Sequence, residues 1–295
     1  MKKFSIITVG VTFLSLILGN LVVATDSGDA CGTSWPFCNG QVIPDLTDFH
    51  ILVEYSHRLF IPLLAVVTFI NAAGAIYFQR KKRSVLIFAA LSLILLVVQS
   101  MIGGFNVLLG TPPGFTTLDV TFSQLLLLNN VLLSYSLHEK KVSLGKKHAG
   151  TVKMSYRAFV LGFLFYIVQV IFGAFFKHSR ASNVMLDIGA EEYLIRSEAL
   201  ADALFSLHWV ATVIVLVSSA WFIIYASKFR YHIFLSWLYF LTILLNGAVG
   251  LVIVITGNVV LASSIHMILS TLTMMVGGAI LGGYWFKLHQ RRFRT

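Results

Sequence analysis

Apolar residues fall in eight long runs separated by short polar connections: Phe4–Val23, Ile51–Phe78, Val85–Leu109, Phe115–Ser136, Tyr156–Phe176, Ala201–Ala226, Ile233–Thr256 and Val259–Phe286. Each is near the roughly 20 residues that an α-helix needs to cross the hydrocarbon core of a bilayer. The pattern predicts an all-α membrane protein with eight transmembrane helices. The first run ends at Val22-Val23-Ala24, which could pass for a signal peptide with a small-residue cleavage site. Its length suits a retained helix instead.

Charge then orients the spans. Lys2 and Lys3, Arg80 to Arg83, the basic residues from Lys140 to Arg157, Lys228 with Arg230, and Lys287 with Arg291, Arg292 and Arg294 fall in connections on one side, and they are most of the 22 Lys and Arg residues. By the positive-inside rule both termini are cytoplasmic. A content of 57% hydrophobic and 12% charged residues, with mean hydropathy +0.85, excludes a water-soluble globule. The net charge of +10 lies in these connections, so it orients helices and does not indicate nucleic acid. Most carboxylates and both cysteines fall on the opposite side. Cys31 and Cys38 share the first outer loop, where an oxidising compartment lets a disulfide persist; a structural staple is the plain reading and a redox pair the other.

The basic connection 138–153 divides the chain into a first half, 1–137, and a second, 154–295. Laid over each other in parallel, they match Gly19 with Gly173, His57 with His208 and Asp119 with His266, while Glu54 meets the apolar Phe205. This predicts two pseudo-repeated four-helix bundles, each with a site between its second and fourth spans.

Candidate chemistry concentrates at the outer ends of those spans. Glu54, His57 and Arg58 open the second span, where ionisable groups are costly, and Glu54 and His57 share a helix face at i, i+3. The alternative is a boundary pair solvated by headgroups, with Arg58 as counter-charge. Pro62, one turn on, predicts a bend. His208 and His266 each lie about 7 residues into their spans, roughly 10 Å below the outer boundary. Two histidines at matched depth in one bundle suit bis-histidine haem ligation, against the alternative of interhelical hydrogen bonding. The fourth span carries Asp119, Gln124, Asn129 and Asn130 but no histidine. His138, His148, His232 and His289 fall in cytoplasmic connections and read as solvated. His50 and His178 are outside, and His178 beside Lys177 could meet an anionic group.

Cys31-Gly32-x-Ser34-Trp35-Pro36-x-Cys38-x-Gly40, followed by Glu54-x-x-His57-Arg58 in eight spans with histidines in the sixth and eighth, resembles the bacterial haem A synthases over essentially the whole chain. The resemblance implies a cell-membrane oxidoreductase that converts the C8 methyl of haem O to the formyl of haem A for terminal oxidase assembly. Its partners would be haem O as substrate, haem O synthase and terminal oxidase subunits. It implies a haem b cofactor on His208 and His266, a substrate haem on His57, an essential carboxylate at Glu54 and a disulfide between Cys31 and Cys38; Arg58 would lie near haem propionates. Two positions depart from the family: Asp119 stands where it has a fourth-span histidine, and Trp209 follows His208 where it often has Arg. Loss of the fourth-span histidine is what an electron-carrying b-type cytochrome or haem-handling assembly factor of the same fold predicts. A transporter is a further rival, although no pair of Gly/Pro-broken spans occupies corresponding midmembrane positions.

Overall fold

The computed structural model describes residues 1–110, 114–138, 149–187, 194–228, 232–257 and 259–288. Pro112, Pro113, most of the 138–153 connection including His148, and Arg230, His289, Arg291, Arg292 and Arg294 lie outside these residues. Among the described residues, nine helices follow one another: α1 (Lys2–Ala24), α2 (Phe49–Gln79), α3 (Arg83–Leu108), α4 (Phe115–Leu137), α5 (Ala149–His178), α6 (Ala181–Met185), α7 (Glu198–Lys228), α8 (Ile233–Thr256) and α9 (Val260–Leu288). All but α6 are long and apolar enough to cross a membrane. They coincide with the eight predicted spans to within a few residues, except that α5 begins earlier.

Local chemistry fixes the helix ends. Asp48 caps α2 by accepting from the His50 and Ile51 N–H groups at 2.8 and 3.2 Å. Gly257, with φ 76°, closes α8 in the left-handed conformation that glycine adopts without a Cβ penalty. Helix α2 runs unbroken through Pro62, whose missing N–H deprives the Arg58 carbonyl of its helical donor. The short α6 was not foreseen, because five residues carry no periodic signal; it packs against α7 and α5 in the outer connection.

Side chains sort inside out relative to a soluble bundle. On α1, Ser5, Thr8, Thr12, Ser15 and Asn20 are buried whereas Ile6, Ile7 and Leu14 are exposed. Small hydroxyl residues let helices approach and supply interhelical hydrogen bonds, while the aliphatic face meets lipid. Thus Asn130 donates to Thr12 at 3.0 Å, Ser92 to Asn130 at 2.9 Å and Asn129 to Ser92 at 2.7 Å, linking α1, α3 and α4. Helix α1 packs on α2 and α4, and α3 on the same two helices; α7 packs on α5 and α8, and α8 on α9. Contacts of α4 with α9 and α5, and of α1 with α9, join the groups. Tyr156, Phe159, Phe163, Tyr166, Phe222 and Tyr239 make an aromatic core beneath the second group.

Candidate functional site

His208 on α7 and His266 on α9 line one cavity of about 210 Å³. Its walls are largely apolar, with Phe176, Phe205, Trp209, Ile243 and Val254, and Lys177 and His178 contribute to the lining. The backbone of His208 is pinned, because its carbonyl accepts from Gln169 Nε2 and from Thr212 Oγ1, both at 2.8 Å. Its ring stacks near Phe176, with centroids 6.5 Å apart, and packs so closely on α5 that a Cβ at Gly173 would fall 2.8 Å from Cε1. His266 Nδ1 lies 3.1 Å from the Asn246 carbonyl of α8. A carbonyl only accepts, so this partner fixes the proton on Nδ1 and leaves the Nε2 lone pair to coordinate.

The fit to a haem rests on these observations. His208 Nδ1 is buried without a partner, and Gly173, Gly247 and Gly250 keep the walls free of side chains where a flat ligand would lie. Among the described residues no group of three or more His, Cys, Asp and Glu could hold a bare metal ion. Two imidazoles in an apolar cavity instead suit an iron that brings its own four ring nitrogens.

In the first half, His57 on α2 abuts α1, where a Cβ at Gly19 would lie 3.1 Å from Nε2. Asp119 on α4 turns to α3: its Oδ1 accepts from Gln99 Nε2 at 2.6 Å, beside Gly103. Glu54, although on the predicted face with His57, reaches up into the outer loop. Its Oε2 accepts from the Cys31 N–H at 2.7 Å, and its Oε1 accepts from Arg58 Nε at 2.9 Å and from the same residue's terminal nitrogen at 2.5 Å. Arg58 also donates to the Phe37 and Gly32 carbonyls at 2.8 and 2.5 Å. Glu54 and Arg58 are buried, 4% and 5% exposed, so this is an internal clamp and not a headgroup-solvated pair. The clamped loop is closed by the Cys31–Cys38 disulfide, and Tyr55 ties it to α2 by donating to the Val42 carbonyl.

The remaining histidines divide. His50 pairs with Ser27 Oγ at 2.9 Å in the outer region. Two that read as merely solvated are engaged: His138 Nδ1 meets the Ser134 carbonyl at 2.8 Å, and His232 packs edge-on to Tyr156 and over Gly283. Both sit at helix termini, where unpaired backbone groups and short side chains invite such contacts. Sequence reading did not assign holding roles to Gln99, Gln169 or the main-chain carbonyl of Asn246, which bind the Asp119 carboxylate, the His208 carbonyl and the His266 ring. For the two glutamines a signal was present, since Gln99 precedes Gly103 by four residues as Gln169 does Gly173, whereas Asn246 acts through its main-chain carbonyl, which leaves none.

These features define a polytopic helical membrane protein with a histidine-lined cavity and, apart from it, a buried carboxylate held by the outer loop. Residues 2–277 match the cytochrome oxidase assembly protein family (COX15-CtaA), and the chain belongs to that family. It is similar to the haem A synthase of Halalkalibacterium halodurans, 28% identical over 278 residues covering 91% of this chain and 92% of that one. Those of Alkalihalophilus pseudofirmus and Listeria welshimeri are each 27% identical, covering 91% and 92% of this chain and 92% of their own lengths. The family and the shared enzyme name make the chain an enzyme.

Proposed function

We propose that this chain is a haem A synthase, a multi-pass oxidoreductase of the plasma membrane with cytoplasmic termini, which oxidises the C8 methyl of haem O to a formyl group. The observation that supports the reading is a difference between the halves: the second-half cavity carries His208 and His266 and no carboxylate in its lining, whereas the buried carboxylate of Glu54 in the first half is held by the disulfide-closed loop. His208 and His266 would hold a haem b, which when bound supplies one-electron transfer. His57 receives the substrate haem in the first half.

The half-reaction takes a methyl group and water to a formyl group, four protons and four electrons, and the electrons pass to a membrane acceptor such as a quinone or dioxygen. Glu54, one turn from His57 at the outer end of α2, is the carboxylate we assign to take protons as the C–H bonds are lost. Arg58 and the Cys31 N–H fix the position of its carboxylate. The largely apolar walls of the second-half cavity would exclude water from a bound haem b, and Lys177 and His178 in its lining would offer polar partners to its propionates. Haem O synthase and terminal oxidase subunits are the partners this activity requires.

A second reading, a haem b electron carrier or haem-handling assembly factor of the same fold, is favoured by one observation: Asp119, hydrogen-bonded to Gln99, stands in place of the fourth-span histidine. Pigment extraction from a bacterial host expressing the full chain together with a haem O synthase separates the two. Haem A in the extract is expected. Haem b bound to the purified protein with haem O unconverted would establish the carrier, and a protein without any Soret band would refute both.

A further inference from the structure

We propose that the buried hydroxyl and amide groups of the first half hold a row of ordered waters, running from the N-terminal end of α1 to His57, which supplies the water that the proposed oxidation consumes. The supply role rests on the first half being the substrate haem half; the hydration does not. On α1, Ser5, Thr8, Thr12 and Ser15 recur every three or four residues on one buried face, and the next step of that face is Gly19, the seat of His57. From Ser5 to Gly19 is roughly 20 Å at 1.5 Å per residue. Around this face stand Thr68 and Asn71 of α2, Ser92 of α3, and Asn129 and Asn130 of α4, all buried. Asn71 points into the bundle. Gly74, three residues on, lies against Met1, and Ala75, four residues on, packs with Val85 and Ala89 of α3 and Leu133 and Leu137 of α4.

Interhelical hydrogen bonds account for only part of this set. Asn130, Thr12, Ser92 and Asn129 satisfy one another across α1, α3 and α4. Ser15 Oγ, Thr68 Oγ1, Asn129 Oδ1 and both amide atoms of Asn71 are buried with no protein partner among the described residues. Buried polar groups are met by protein or by ordered water, and a buried water needs two to four polar neighbours. Asn71 offers a donor and an acceptor, and Thr68 adds a hydroxyl one turn away on the same helix face. Ser5 brings another at that level, one turn above Met1 as Asn71 is one turn above Gly74.

The second half is closed at the same depth. In the register that sets His57 on His208 and Gly19 on Gly173, Asn71 falls on Phe222, Ser5 on Phe159 and Thr12 on Tyr166; in the register that sets Gln99 on Asn246, Ser92 falls on Tyr239. All four rings belong to the aromatic core of the second half. Thr68 falls on Ser219, whose hydroxyl donates to the Leu216 carbonyl of its own helix at 2.7 Å, whereas that of Thr68 has no partner. One half thus plugs with rings the layer that the other lines with small polar groups. The difference follows the proposed chemistry: oxidation of a methyl to a formyl group consumes water, and electron transfer through a haem b consumes none.

The chain's two cysteines, Cys31 and Cys38, are joined, so a thiol introduced elsewhere is the sole source of an S–H stretching band. Thr68→Cys and Ser219→Cys place that thiol at matched, buried positions. The full-length variants in lipid nanodiscs are transferred to heavy water, and conversion of S–H to S–D is followed by infrared spectroscopy. A dry buried group exchanges only when the structure opens, so Thr68→Cys should exchange roughly tenfold faster than Ser219→Cys or more, and should slow when Asn71→Leu is added. Equal rates in the two single variants, or a Thr68→Cys rate unmoved by Asn71→Leu, would overturn the hydrated row. Thr68→Val combined with Asn71→Leu should lose most haem A formation in a host that supplies haem O, while the purified protein keeps its bound haem and its melting temperature. Undiminished haem A in that variant would overturn the supply of water by this path. A wild type that makes no haem A refutes the proposed activity instead, and the exchange rates then decide the hydration by themselves.

Discussion

Arg58 shows how one side chain's hydrogen bonds constrain its function. Its nitrogens are shared among Glu54, Gly32 and Phe37, which makes it the fastener of the disulfide loop over α2 more than a free cation awaiting a propionate. Removing one partner of a buried ion pair leaves the other charge uncompensated, at a cost of about 3–5 kcal/mol. Lysine keeps the charge but not the planar fork that spans a carboxylate and two carbonyls. Arg58→Lys is therefore expected to lower the melting temperature and to speed reduction of the Cys31–Cys38 disulfide by a mild thiol, with Arg58→Ala more severe in both. Wild-type melting and reduction rates in Arg58→Ala would show that the loop is held by something else.

Among the helices, the recurrent device is a glycine one to two turns below an outer end, carrying the side chain of a neighbouring helix. Gly19 seats His57, Gly173 seats His208, Gly103 lies beside Asp119 and Gly250 beside His266. Matching Gly19 and His57 with Gly173 and His208 was possible from the sequence alone, because the spans set the register and these residues recur at corresponding depths. The eight spans were equally legible, since length and apolarity suffice to define a membrane helix. What could not be read was where Glu54 and Arg58 point: their partners are the Cys31 N–H and the Gly32 and Phe37 carbonyls, and backbone groups leave no residue-type signature. The seats make a graded expectation. A methyl at Gly173 would meet His208 Cε1 at 2.8 Å, against backbone-pinned surroundings, whereas one at Gly247 would make an ordinary 3.8 Å contact with Thr212 Cγ2. Overpacking costs about 1–3 kcal/mol, or roughly ten- to a hundredfold in haem affinity if it falls on the ligand. Gly173→Ala should lose or shift the low-spin haem spectrum while Gly247→Ala retains it; equal spectra would mean that the ring is not held by its seat.

Across the whole molecule, the two candidate sites stand back to back on α1 and α4. Gly19 touches His57 while its neighbour Asn20 lines the second-half cavity, and Asp119 turns to α3 while Val120 lines that same cavity. The wall between the sites is thus about one helix thick, on the order of 10 Å, a short path for an electron under the proposed assignment of the substrate haem to the first half. One hydroxyl on α9 ties the wall together: Thr271 Oγ1 accepts from Gln124 Nε2 at 2.9 Å and from Asn20 Nδ2 at 3.3 Å, and it donates to the Met267 carbonyl at 3.0 Å. Thr271 is fully buried and the two amides nearly so. Valine matches threonine in shape but leaves both amides without an acceptor, at about 1–3 kcal/mol for each buried donor, whereas serine keeps the acceptor and loses only a methyl. Thr271→Val is expected to melt several degrees below wild type and to release haem b more readily, with Thr271→Ser close to wild type in both. The ordering matters more than the size of the shift, because a packing role for the methyl would reverse it. Thr271→Ser melting below Thr271→Val would show that the halves are joined by apolar contact along α4 and α9 and not by this hydroxyl.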